Sequence, residues 1–347
     1  MTYVVPTKAT PLSRKDRTRG LWVFLLITFG GAWVGMFLPL FTDLSPLNPF
    51  GQIIFGCMPA LGAVVARLAT GEGFADAGLR PRFRRAWKHY LLAWLGPLAF
   101  AVTALGTARV LGVWDGDLTQ LGDGVGGVPG WAVVPLLMLA ALLLTPIYWG
   151  EEFGWTSYLR PRLCNGRPLA AVVVAGAIWA VWHYPLAFNG YIEFEHLLLG
   201  LAIWSMAFLI QQVMLAALAV RSRTVWTASL AHAGNNLVLS LLMEILVLNG
   251  GDGKGGGPGQ ITVTLFPLLP MALVCIWILW SGKLAAPGGD AGDESERRGL
   301  ASQDFSALTS SSLNTSISSA TSTTSKSSAS FDSSGSSGSF SAPRRSR

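Results

Sequence analysis

The stretch Trp149–Arg162, WGEEFGWTSYLRPR, sets two adjacent carboxylates, Glu151 and Glu152, directly behind the apolar run Trp131–Trp149. That run is long enough to cross a bilayer, and charge at or inside a membrane is costly enough to be kept only where it is used. The pair is therefore the first functional candidate, and the fold question becomes whether the rest of the chain is built to surround it with lipid-compatible helices.

Composition says that it is. Of 347 residues, 51% are hydrophobic and only 13% charged, where a soluble domain carries about 25% charged residues. The mean hydropathy is +0.46. Eight apolar runs succeed one another: 21–41, 49–69, 90–113, 131–149, 168–188, 196–220, 225–248 and 261–280. Each approaches the ~20 residues a spanning helix needs. The first is too long for a signal-peptide core and ends without a cleavage site, so it reads as a retained helix. The fold class is thus all-α, a polytopic membrane helical bundle of about eight transmembrane helices. It occupies residues 21–283, after a basic segment 1–20 and before a tail 284–347.

Loop charges test the count independently, because Lys and Arg favour the cytoplasmic side of short loops. With the N-terminus inside, the inner segments before the tail hold seventeen Lys and Arg and the outer ones hold only Arg109 and Lys254. A miscounted helix would scramble that pattern. Both termini are accordingly expected in the cytoplasm, in an integral, multi-pass protein. The net charge of +6 is explained by this distribution, so no nucleic-acid partner is inferred and membrane lipids are the surroundings expected.

Other segments read simply. Cys57, Cys164 and Cys275 are far apart and form no CxxC pair, which excludes a disulfide framework and a thiolate metal site. The connector NGGDGKGGGPGQ lacks the GK[ST] arrangement of a phosphate loop and reads as a flexible linker. Residues 284–347, rich in Ser and Thr, cannot bury enough surface to offset their ordering entropy and read as disordered. Asn314-Thr315-Ser316 fits a glycosylation acceptor but falls on the cytoplasmic side.

Two further apolar runs carry histidine. In SLAHAGNN, His232 and Asn236 are spaced i, i+4 and share a helical face, with Asn235 directed elsewhere. In AIWAVWHYP, Trp179 lies one turn before His183 and Pro185 comes just after it. Consecutive residues on a helix point about 100° apart, so one of Glu151 and Glu152 can face the interior while the other caps, pairs with Arg160 or Arg162, or supports the first. Taken singly, each of these polar residues suits an interhelical hydrogen bond or an interfacial helix end. Jointly, Glu, two His and Asn form a set that can activate water, either directly or through a divalent metal, zinc foremost, held by Glu151, His183 and His232. The spacing is not HExxH.

These motifs resemble those of the CPBP family of intramembrane proteases, the CAAX prenyl protease and bacteriocin-processing (ABI) proteins. That family has eight helices and the motifs EExxxR, FxxxH and HxxxN/D. Here they read Glu151–Thr156, Trp179–His183 and His232–Asn236. The resemblance spans about residues 20–283 and is strongest from 149 to 240. It implies an endopeptidase acting on a membrane-associated or prenylated protein. Glu151 and His183 would activate water, His232 and Asn236 would polarise the scissile carbonyl or hold a metal, and Glu152, Trp179 and Arg160 would support them. Thr156 stands where the first motif carries arginine, with Arg160 one turn further as the available cation. The rival readings are a non-catalytic adaptor or immunity-type protein on the same fold and, last, a proton-coupled transporter, which would show repeated halves not seen here.

Overall fold

In a computed structural model, residues 12–37, 48–123, 127–248 and 259–284 are described. The glycine-rich connector up to Pro258, the sequon and the serine-rich tail after Leu284 lie outside them. Among the described residues there are helices and no strands. In chain order they are α1 (Arg14–Phe37), α2 (Pro49–Thr70), α3 (Phe83–Val110), α4 (Gly130–Leu143), α5 (Thr145–Glu152), α6 (Pro168–His183), α7 (Leu197–Ser222), α8 (Trp226–Gly234) and α9 (Gln260–Trp280), with shorter turns between some of them. Seven spans are long and apolar enough to cross a membrane unaided, and α4 with α5 forms an eighth, bent by 52° at Leu144.

Several boundaries shift from expectation for local reasons. α1 starts at Arg14, inside the basic segment, because Ser13 caps it: the Ser13 hydroxyl accepts from the Asp16 amide and donates to the Asp16 carboxylate. The larger shift concerns the Glu pair. It does not end a span at the interface. The chain breaks earlier, at Leu144, restarts on Thr145-Pro146, and continues helically through Arg162 by way of a π-helical stretch, Phe153–Leu159. A second π-helical stretch, Asn235–Ser240, succeeds α8. Such stretches recur at functional sites because each inserts a residue and rotates the rest of the helix beyond it.

α5 and α8 lie at the centre. α2 packs on α5, α5 on α8, α8 on α3, and α6 on α7, while α1 covers α2. The approach of α2 to α5 is backbone to backbone. A Cβ on Gly150 would sit 2.8 Å from the Gly56 carbonyl oxygen, and one on Gly154 would sit 2.8 Å from that of Pro59. Glycines four residues apart allow this close packing within a membrane. They hold Glu151 and Glu152, which lie between them, against α2. Indole donors tie the outer helices inward: Trp33 to the Trp182 carbonyl at 3.1 Å, Trp182 to that of Thr28 at 3.2 Å, and Trp94 to that of Met138 at 2.9 Å.

The loops sort by end as the charge pattern requires. Arg17 is hydrogen-bonded to Asn165, Arg162 pairs with Glu72 at 2.6 Å, and the Val225 amide donates to Gly78 at 3.1 Å, which gathers the cation-rich segments at one end. At the other end the Asn189 amide donates to Met36 and the Ile261 amide to Glu195.

Candidate active site

His232 lies six residues after Trp226 on α8, so at 1.5 Å per residue it sits about 9 Å inside the cation-rich end, with Glu152 bonded to it. Glu151 is 8% exposed, Glu152 0% and His232 2%. Carboxylates this deep need partners, and each has one from a different helix.

Trp179 on α6 donates its indole N–H to Oε2 of Glu151 at 2.9 Å. The other oxygen, Oε1, faces Gly56 of α2, whose missing side chain leaves space beside it; a Cβ there would stand 3.8 Å away. Glu152 is engaged on both oxygens. Oε1 accepts from Nδ1 of His232 at 3.0 Å, and Oε2 accepts from the Thr156 hydroxyl at 2.6 Å. Gln212 of α7, fully buried, donates onward to Thr156 at 3.4 Å. The two carboxylates thus divide as neighbouring helical residues must: among the described residues Oε1 of Glu151 has no hydrogen bond within 3.5 Å, while Glu152 is held on one oxygen by His232 and on the other by Thr156.

The histidine tautomers are set by these partners. His183 places Nδ1 3.0 Å from the Trp179 carbonyl oxygen, which can only accept. Nδ1 therefore carries the proton and Nε2 keeps its lone pair. The His183 ring stacks on Phe208 at 4.3 Å and meets Trp182 edge-on at 4.7 Å, so its orientation is locked by packing. His232 likewise gives Nδ1–H to Glu152, and the Tyr148 and Trp179 rings flank it at 5.1 and 5.2 Å.

Three expectations change here. Arg160 forms no ion pair with Glu152 among the described residues, where Thr156 takes the hydrogen bond on Oε2, although its charge still acts on that carboxylate. Arg162 is turned away to Glu72 and Asp76. Asn235, expected to point elsewhere, is the buried asparagine, whereas Asn236 is exposed. The π-helical register that begins at Asn235 advances each residue by less than 100°, so the i, i+4 rule fails across it. Asn236 still reaches the Tyr148 hydroxyl and so remains at the rim of the site. No group of three or more His, Cys, Asp or Glu converges to hold a metal ion among the described residues, the set Glu151, His183 and His232 included.

Sequence reasoning misses Tyr148, Gln212 and Gly56. Two of them carry a signal. Tyr148 precedes Glu151 by three residues and so shares its face, and Gln211-Gln212 interrupts an otherwise apolar run.

Residues 129–238 match the family model described as type II CAAX prenyl endopeptidase, Rce1-like. The matched stretch carries α4, α5, α6, α7 and the histidine and asparagines of the α8 span. This stretch is thus similar to the type II CAAX prenyl endopeptidases, and it lies within a multi-pass helical bundle whose spans are long and apolar enough to cross a membrane. No curated protein matches the chain.

Proposed function

We propose that the chain is an intramembrane endopeptidase that hydrolyses a peptide bond in a membrane-associated or prenylated protein, with Glu151 as general base. The observation that carries this reading is the division of labour between the carboxylates: among the described residues Oε1 of Glu151 has no hydrogen bond within 3.5 Å and borders the open face of Gly56, whereas both oxygens of Glu152 are held, by His232 and Thr156.

In this mechanism Oε1 of Glu151 takes a proton from water as its oxygen attacks the scissile carbonyl carbon. Nε2 of His183 accepts the second water hydrogen and so fixes the direction of attack. His232, protonated and balanced by Glu152, presents Nε2–H to the developing oxyanion, with the Asn236 amide as second donor. Collapse of the tetrahedral intermediate breaks the C–N bond, and Glu151 returns its proton to the leaving amine. Every step in this mechanism is carried by side chains, and none is routed through a metal. Termini in the cytoplasm would open the site to the leaflet where lipidated proteins reside.

The test is cleavage of farnesylated C-terminal peptides and unmodified membrane segments by the purified protein, beside Glu151→Gln, with metal content measured in the same samples. Loss of a general base is expected to reduce the rate by about 10²–10⁴-fold. A Glu151→Gln protein that cuts at the wild-type rate would refute the assignment.

A further inference from the structure

The turn between α2 and α3 and the first two turns of α3 present five exposed cations, Arg80 and Arg82 before the helix and Arg84, Arg85 and Lys88 on it. None of them is in an ion pair among the described residues. The nearby acids are already engaged, Asp76 with Arg67 and Arg162, and Glu72 with Arg162. Two aromatics are interleaved with the cations, Phe83 at 66% and Trp87 at 54% exposure. Beside them lies a cavity of about 230 Å³, lined by Phe83, Tyr90, Leu142, Pro146, Trp226 and Leu230 among others. Its wall comes from three parts of the fold: the start of α3, the α4–α5 break and the start of α8.

A cationic loop alone is what the positive-inside rule produces, and an apolar surface alone is what lipid requires. Here the two are one surface, because Phe83, between Arg82 and Arg84, lines the cavity. We propose that this is a binding site for an anionic phospholipid, with the headgroup phosphate on Arg82, Arg84 and Arg85 and an acyl chain in the cavity. Cationic pockets between membrane helices suit such headgroups, and the unpaired guanidiniums supply the charge complement. Leu142 and Pro146 flank the bend at Leu144, and Glu151 lies five residues beyond Pro146 on α5. A lipid chain in the cavity therefore packs against the segment that carries the carboxylates. The proposal does not depend on the peptidase reading.

The full-length protein, reconstituted in phosphatidylcholine vesicles containing a minority of phosphatidylglycerol, is extracted in mild detergent and its retained lipid identified by mass spectrometry. The wild type is expected to retain phosphatidylglycerol enriched about threefold or more over the vesicle composition. The triple variant Arg82→Gln/Arg84→Gln/Arg85→Gln should lose this enrichment while keeping its helical circular dichroism. Leu142→Trp, at a half-exposed position, should also reduce retention by occupying the cavity. Retention at the bulk ratio, or undiminished retention by the triple variant, would overturn the site. So would displacement by soluble glycerophosphate or an acidic peptide as effective as by the diacyl lipid, because either would mean an anion or protein site without a chain pocket.

Discussion

The indole N–H of Trp179 lies 2.9 Å from Oε2 of Glu151, and the carbonyl oxygen of the same residue lies 3.0 Å from Nδ1 of His183. One residue thus fixes both the base and the histidine assigned to orient the water. Trp179→Phe retains a large ring and removes the donor. A hydrogen bond to a charged group contributes about 1.5–3 kcal/mol, so peptide cleavage should slow by roughly 10–100-fold, in kcat with little change in KM, while thermal stability changes modestly. An equal loss in KM would mean that Trp179 serves substrate binding.

The relay from Gln212 through Thr156 to Glu152 stands where the family motif has arginine. Thr156→Val keeps the shape and leaves the buried Oε2 of Glu152 without its short hydrogen bond, which costs about 1–3 kcal/mol. Thr156 is 1% exposed and Gln212 0%, so Thr156→Arg alone should be worse than Thr156→Val because no room exists for the guanidinium. Thr156→Arg combined with Gln212→Ala should recover stability relative to Thr156→Arg. Melting temperatures of the wild type, Thr156→Val, Gln212→Ala and the double variant Thr156→Val/Gln212→Ala form a double-mutant cycle, and strict additivity would deny the relay.

Gly154 meets the Pro59 backbone so closely that any side chain must push α2 from the π-helical stretch that follows α5. Gly154→Val is expected to destabilise by about 1–3 kcal/mol or more through overpacking, and to abolish cleavage by displacing Glu151. Val at Gly30, around which no atom lies within 4 Å of a Cβ, is the matched control and should leave both properties nearly unchanged.

Much of this architecture is legible in the sequence because hydropathy and loop charge are sums over many residues. The eight spans and their alternating ends survive errors at single positions. Glu151, Glu152, His183 and His232 stand out for a related reason: polar residues in apolar runs are conspicuous. The particulars that depend on register are not legible. The break at Leu144 moves the Glu pair from an interface into the interior, and the π-helical turn at Asn235 exchanges the burial of Asn235 and Asn236. Thr156 takes the hydrogen bond on Glu152, and Arg160 acts on that carboxylate through its charge rather than through an ion pair. No periodicity rule contains such exchanges, since they depend on which neighbour arrives first.

The last prediction concerns the loop that braces this end of α5. Asp76 accepts from Arg67 at 2.6 Å and faces Arg162 at 3.4 Å, and the Ser157 hydroxyl donates to the adjacent Ala77 carbonyl at 2.7 Å. Partial burial pushes the Asp76 carboxyl up, but the Arg67 hydrogen bond, the Arg67 and Arg162 charges and a backbone hydrogen bond outweigh it and hold the group below the usual range. A carboxyl whose folded pKa is depressed stabilises the fold above its unfolded value, near 3.9, and that contribution is lost as pH falls through the folded value. Stability measured between about pH 6 and 3 should therefore decline in the wild type, and Asp76→Asn should show a shallower decline from a lower starting point. Its 43% side-chain exposure makes the effect screened and modest. Parallel curves for the two proteins would show that the Asp76 pairing does not brace α5, and Arg67, 0% exposed, would then depend on the Gly73 carbonyl, which it reaches at 2.7 Å.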